Sequence, residues 1–62
     1  MQADRADIVR AISQLPAVQR RAIDLVFYCG YTTEEAAEQM GMHRTQLRRH
    51  LGRGVAGIRG SL

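Results

Sequence analysis

The chain has 62 residues, with nine Lys plus Arg against six Asp plus Glu, a formal net charge of +3 and a pI of about 10.0. That length suits one small domain spanning residues 1–62, close to the limit at which a core suffices without staples. A lone cysteine, Cys29, excludes an internal disulfide, and no Cys/His cluster has zinc-ligand spacing.

No apolar run reaches membrane-spanning length, and residues 1–10 carry two aspartates and two arginines in place of a signal peptide's apolar middle. A soluble, cytoplasmic protein is therefore expected. The charge is unevenly spread. Residues 1–43 hold four arginines and all six acids, about −2, whereas residues 44–62 hold five arginines and no acid, about +5. Such a basic segment is the electrostatic footprint of a nucleic-acid binder.

Residues 3–14 place Ile8, Val9, Ile12 and Leu15 on one helical face, with Asp4 and Asp7 near its positive N-terminal end. Pro16 ends this helix and suits the first turn of the next, which should begin there. Val18, Ala22, Leu25, Val26 and Cys29 form the second helix's core stripe, and Cys29 is expected to be a buried, inert hydrophobe. Ile23 and Phe27 add a second apolar edge, more than one neighbouring helix needs. Gly30 is a left-handed C-cap candidate, followed by Tyr31 as a staple residue.

Thr32 and Glu35 have capping-box spacing, so a third helix should begin at Thr33, its first turn favoured by Glu34 and Glu35. Ala37 and Gly41, four apart, supply the small residue and the turn glycine of a helix-turn-helix. Met40 and Met42 flank that turn and are expected to pack inside. Leu47 and Leu51 then pin a second motif helix, leaving Arg44, Thr45, Gln46, Arg48, Arg49, His50 and Arg53 for the outer side. A helix so built suits the DNA major groove, with Gln for adenine and Arg for guanine. No acid follows Glu38, so no partner on the same helix neutralises these arginines. His43 is expected to be a poor N-cap or a phosphate neighbour. Gly52, Gly54, Gly57 and Gly60 each cost a helix about 1 kcal/mol relative to alanine, yet Leu51, Val55 and Ile58 keep helical spacing, so the last helix should end near Ile58, weakly held.

The run Leu15-Pro16, Gln19-Arg20, Leu25, Gly30, Thr32, Glu34-Glu35, Ala37-Glu38, Gly41, Leu47-Arg48 and Leu51 resembles, without a gap, region 4 of bacterial sigma-70-type factors, the extracytoplasmic-function group in particular. The resemblance covers residues 8–58. It implies an all-α, four-helix domain containing a helix-turn-helix, of sigma-4 type and lacking a wing. It also implies recognition of the −35 promoter element by the last helix and docking on the β flap of RNA polymerase. Four departures cluster near the bases to be read: His43 for the family's Ser, Thr45-Gln46 for Gly-Thr, Arg49-His50 for Ser-Arg, and Ala36 for Ile. The aromatic residues of region 2, which melt the −10 element, have no counterpart among Phe27, Tyr28 and Tyr31.

The candidate DNA-binding residues are thus Thr45, Gln46, Arg48 and Arg49 at base edges, and Thr32, Thr33, Arg44, His50 and Arg53 at phosphates. A second reading, of a different class, is a protein-interaction module whose working surface is the apolar side of helices one, two and four, with Ile23, Phe27, Val55 and Ile58, and which meets an anti-sigma factor or an activator. His43 and His50, seven apart, lack further ligands for a metal. The sequence offers no nucleophile with a base and no phosphate loop, so no enzyme, cofactor or small-molecule substrate is expected.

Overall fold

A computed structural model describes residues 4–62, and in it every regular element is helical. Helix α1 (Arg5–Ser13) begins where the Asp4 carboxylate accepts from the Asp7 amide at 2.9 Å, an N-cap that satisfies one of the helix's free donors. The expected start at Ala3 lies outside the described residues. Pro16 takes the N-cap position of α2 (Ala17–Ile23), so the first helical residue is one later than the proline.

Helix α2 does not continue as an α-helix. Residues Asp24–Tyr28 form a π-helical segment in which the Cys29 amide donates to the Asp24 carbonyl at 2.9 Å. Each bond that reaches five residues back adds a residue to the turn, so side chains beyond Asp24 fall behind the regular apolar stripe. For this reason Cys29 is exposed, not buried as expected. A second expectation fails at Ile23, assigned to an open partner face: it precedes the segment, is only 2% exposed and belongs to the core, lying against Gly54. The segment closes with Gly30 at φ 77° and the Tyr31 amide on the Leu25 carbonyl at 3.0 Å.

Helix α3 (Thr33–Met40) starts with both halves of the capping box: Glu35 N donates to Thr32 Oγ1 at 3.1 Å, and Thr32 N donates to Glu35 Oε1 at 3.0 Å. Gly41, at φ 66°, ends it in the left-handed region, and the Met42 amide reaches back to the Ala37 carbonyl at 3.0 Å. This is the tight turn that swings the chain into α4 (Arg44–Ser61).

The core lies where α2, α3 and α4 meet. Ala22, Ala36, Ala37 and Leu47 are buried there, with Leu25, Val26, Met40, Met42 and Leu51 packed against them. Three alanines let the helix backbones come close, and Leu47 fills what remains as the largest fully buried side chain. Ala36, shorter than the family's isoleucine, is completely buried, so its small size belongs to this close approach.

Helix α4 runs to Ser61, three residues past the expected end at Ile58. Its glycines explain how. A Cβ on Gly54 would lie 2.6 Å from Ile23 Cδ1, and one on Gly57 would lie 2.7 Å from Leu15 Cδ2. At these two positions the missing side chain is what allows α4 to cross α2 and the corner that precedes it. The local cost of glycine is met by tertiary contact, which sequence propensity alone does not register.

Candidate nucleic-acid interface

The first turn of α4 is fixed by its own side chains. The His43 imidazole accepts from the Thr45 amide at Nδ1, 3.1 Å, and Gln46 Oε1 accepts from the His43 amide at 3.2 Å. This reciprocal cap corrects the expectation that His43 caps poorly. An imidazole nitrogen occupies the place of the usual serine oxygen and satisfies an amide in the same way. Thr45 Oγ1 also lies 3.1 Å from the same Nδ1.

The cap has a chemical consequence for base reading. Bidentate recognition of adenine needs both the carbonyl and the amide of a glutamine. The Gln46 carbonyl already serves the His43 amide, which ties down one half of that fork and leaves the NH2 group unengaged. The Thr32 hydroxyl oxygen is likewise engaged as the cap of α3, leaving its proton to donate elsewhere.

Leu47 faces inward on α4, Leu51 is half-buried, and Arg44, Thr45, Gln46, Arg48, Arg49 and Arg53 are all exposed. Thr33 is half-buried beside them at the start of α3. His50 is half-buried too, and its Nδ1 is enclosed with no hydrogen-bond partner, so it is a less open group than the sequence suggests.

No acid on α4 itself meets these arginines, as the sequence requires, but one on the preceding helix does. Glu34 Oε1, on the first turn of α3, lies 3.8 Å from Arg44 Nη1 and 3.7 Å from Arg48 Nη2. These side chains are 56 to 58% exposed, so the pairs are long and solvated and add little to stability. The tight turn at Gly41 brings the acid to the arginines across the motif. Spacing along α4 alone could not reveal it, and Glu34 reads in the sequence only as a residue favoured by the helix dipole.

The expected apolar partner face is divided by the fold. Ile23 is buried, Val55 and Ile58 are half-buried, and only Phe27 stands out, at 62% exposure. Beside it in the chain, Tyr28 is equally exposed, and with Arg5, Val9, Ile12 and Asp24 it lines a groove of about 310 Å³ between α1 and the π segment. Val9 belongs to the apolar face that the sequence assigns to the first helix, whereas Tyr28 is not singled out there, because the change of helical phase at Asp24 leaves no mark in composition or spacing.

Among the described residues no cluster of His, Cys, Asp and Glu is arranged to hold a metal ion, and no helix is long and apolar enough to cross a membrane. Comparison with curated proteins and with solved structures returns no match. A family model described as Sigma-70, region 4 matches residues 5–56, which takes in α1, α2, the π segment, α3 and most of α4. With that match over most of its length, and with a capped helix-turn-helix carrying arginines outward, the chain belongs to the sigma-70 region 4 family, DNA-binding regions of sigma factors that serve RNA polymerase in transcription initiation.

Proposed function

We propose that residues 1–62 act as one domain that reads the −35 promoter element through the outer side of α4 and docks on the β flap of RNA polymerase, in a cytoplasmic sigma factor of the extracytoplasmic-function group. The observation that carries this reading is the arginine-rich face itself: Arg44, Arg48, Arg49 and Arg53 are exposed on a helix whose first turn is capped and whose Leu47 is fully buried. Such a helix offers donors of fixed origin to base edges and phosphates. Arg48, Arg49, Thr45 and the Gln46 NH2 group face bases, while Arg44, His50, Arg53 and the start of α3 at Thr32 and Thr33 face phosphates. Selection from random duplexes with the chain held on its polymerase should return an enriched sequence. Return of an unenriched pool would count against the reading.

A second surface favours a protein partner. Phe27 and Tyr28 are each 62% exposed and Val9 51% exposed, and Tyr28 and Val9 share one groove with Ile12, so apolar side chains are grouped there. An anti-sigma factor or an activator is the partner this reading assigns to it. Phe27→Ala should weaken such a partner and spare DNA binding, and Arg49→Ala should do the reverse.

A further inference from the structure

Resting on the DNA-reading function of α4, we propose that Glu34 is a positioning residue for that reading: it holds Arg48 for a base edge, offsets the charge of Arg44 at its phosphate position, and so lowers the domain's affinity for DNA of arbitrary sequence. Three observations support it. One carboxylate oxygen, Oε1, lies 3.8 Å from Arg44 and 3.7 Å from Arg48, so a single acid faces two guanidinium groups one turn apart on the reading helix. The other oxygen, Oε2, accepts a long hydrogen bond from the Thr33 hydroxyl at 3.5 Å, so both oxygens have a neighbour. The pairs are exposed and long, so their role in holding the fold together is small.

The chemistry follows from the donor set. A guanidinium has five N–H donors in a rigid plane; two suffice for a guanine edge, and a carboxylate can hold the remainder. Arg48 can therefore keep Glu34 while it reads a base. Phosphate binding is different, because there the attraction is to the net positive charge of the face. Glu34 cancels part of that charge and sets a negative group at the start of α3, where backbone amides and the helix dipole would otherwise attract a phosphate. Contacts to phosphate alone are thereby weakened more than contacts to bases, and the gap between correct and arbitrary sequence widens.

The test is Glu34→Gln in the full chain, which keeps the shape and removes the charge, with Asp24→Asn at the α1 groove as a control of equal charge change. Fluorescence anisotropy would follow binding to the selected duplex and to a scrambled one at several salt concentrations. Glu34→Gln should bind the scrambled duplex roughly threefold to tenfold more tightly at low salt and steepen its salt dependence by up to about one unit of slope. The ratio of selected to scrambled affinity should fall by a comparable factor, while the melting temperature and the Asp24→Asn ratio stay at the unaltered values. An unchanged ratio, or an equal gain for both duplexes, would overturn the role of Glu34 and leave DNA reading standing. Absence of salt-dependent binding by the unaltered chain would overturn both.

Discussion

Helix α4 is two different structures joined end to end. Residues 44–51 project long charged side chains from one side and bury Leu47 with the other, whereas residues 52–61 include four glycines and work by what they omit. The first half is defined by atoms it presents to solvent. The second is defined by a close approach, at Gly54 to Ile23 and at Gly57 to Leu15, that brings α4 against α2 and anchors the projecting half. A recognition helix needs both, because side chains that read DNA must start from a backbone held in place.

The comparison breaks most severely at Leu47, the side chain on which the presenting half is seated. Leu47→Ala removes the largest fully buried side chain and should cost about 2 to 5 kcal/mol, a large share of the stability of so small a domain. Thermal unfolding followed by circular dichroism should show a strongly lowered transition. In the packing half, Gly54→Ala sets two effects against each other. Alanine gains up to about 1 kcal/mol of helix propensity, but the added methyl meets Ile23 Cδ1, and overpacking typically costs about 1 to 3 kcal/mol. Because Ile23 is itself buried and has little room to move, net destabilisation is expected.

The cap of α4 comes next in size. His43→Ala should lose about 1 kcal/mol, and His43→Ser should lose much less because a hydroxyl can take over the amide of the first turn. Equal losses in both variants would show that the imidazole acts by packing and not as a cap. The smallest effect sharpens the contrast within the glycines. Gly52 has open space around its missing side chain, so Gly52→Ala should stabilise by about 0.5 to 1 kcal/mol, opposite in sign to Gly54→Ala two residues later. Denaturant midpoints for the two variants measure this directly.

What could be read from the sequence, and what could not, follows the same division. The capping box of Thr32 and Glu35, the turn at Gly41 and the inward Leu47 depend on residues within a few positions of one another, and they form as their spacing suggests. Gly54 and Gly57 read as helix breakers, since their benefit comes from partners more than thirty residues away in the chain. The π segment was invisible for another reason. A widened turn has no composition of its own, yet it moves Cys29 out of the core and puts Phe27 and Tyr28 on the surface. At the candidate DNA face the arginines were legible as a charge run on a pinned helix. Their link to Glu34 was not, because only the turn at Gly41 brings α3 and α4 together there.

The claim that the presenting half of α4 meets DNA is tested most directly by the salt dependence of binding. If Arg44 and Arg53 neutralise phosphates while Arg48 and Arg49 read bases, the logarithm of the binding constant should fall with the logarithm of salt at a slope of roughly −2, taking about −0.9 per contact. Arg53→Ala, at a phosphate position, should flatten the slope by about one unit and weaken all sequences alike, whereas Arg48→Ala should mainly erode the preference for the selected duplex. A slope near zero, or the same loss of preference from both variants, would contradict the account and leave the arginines as a solvated face on a domain that works by holding a protein.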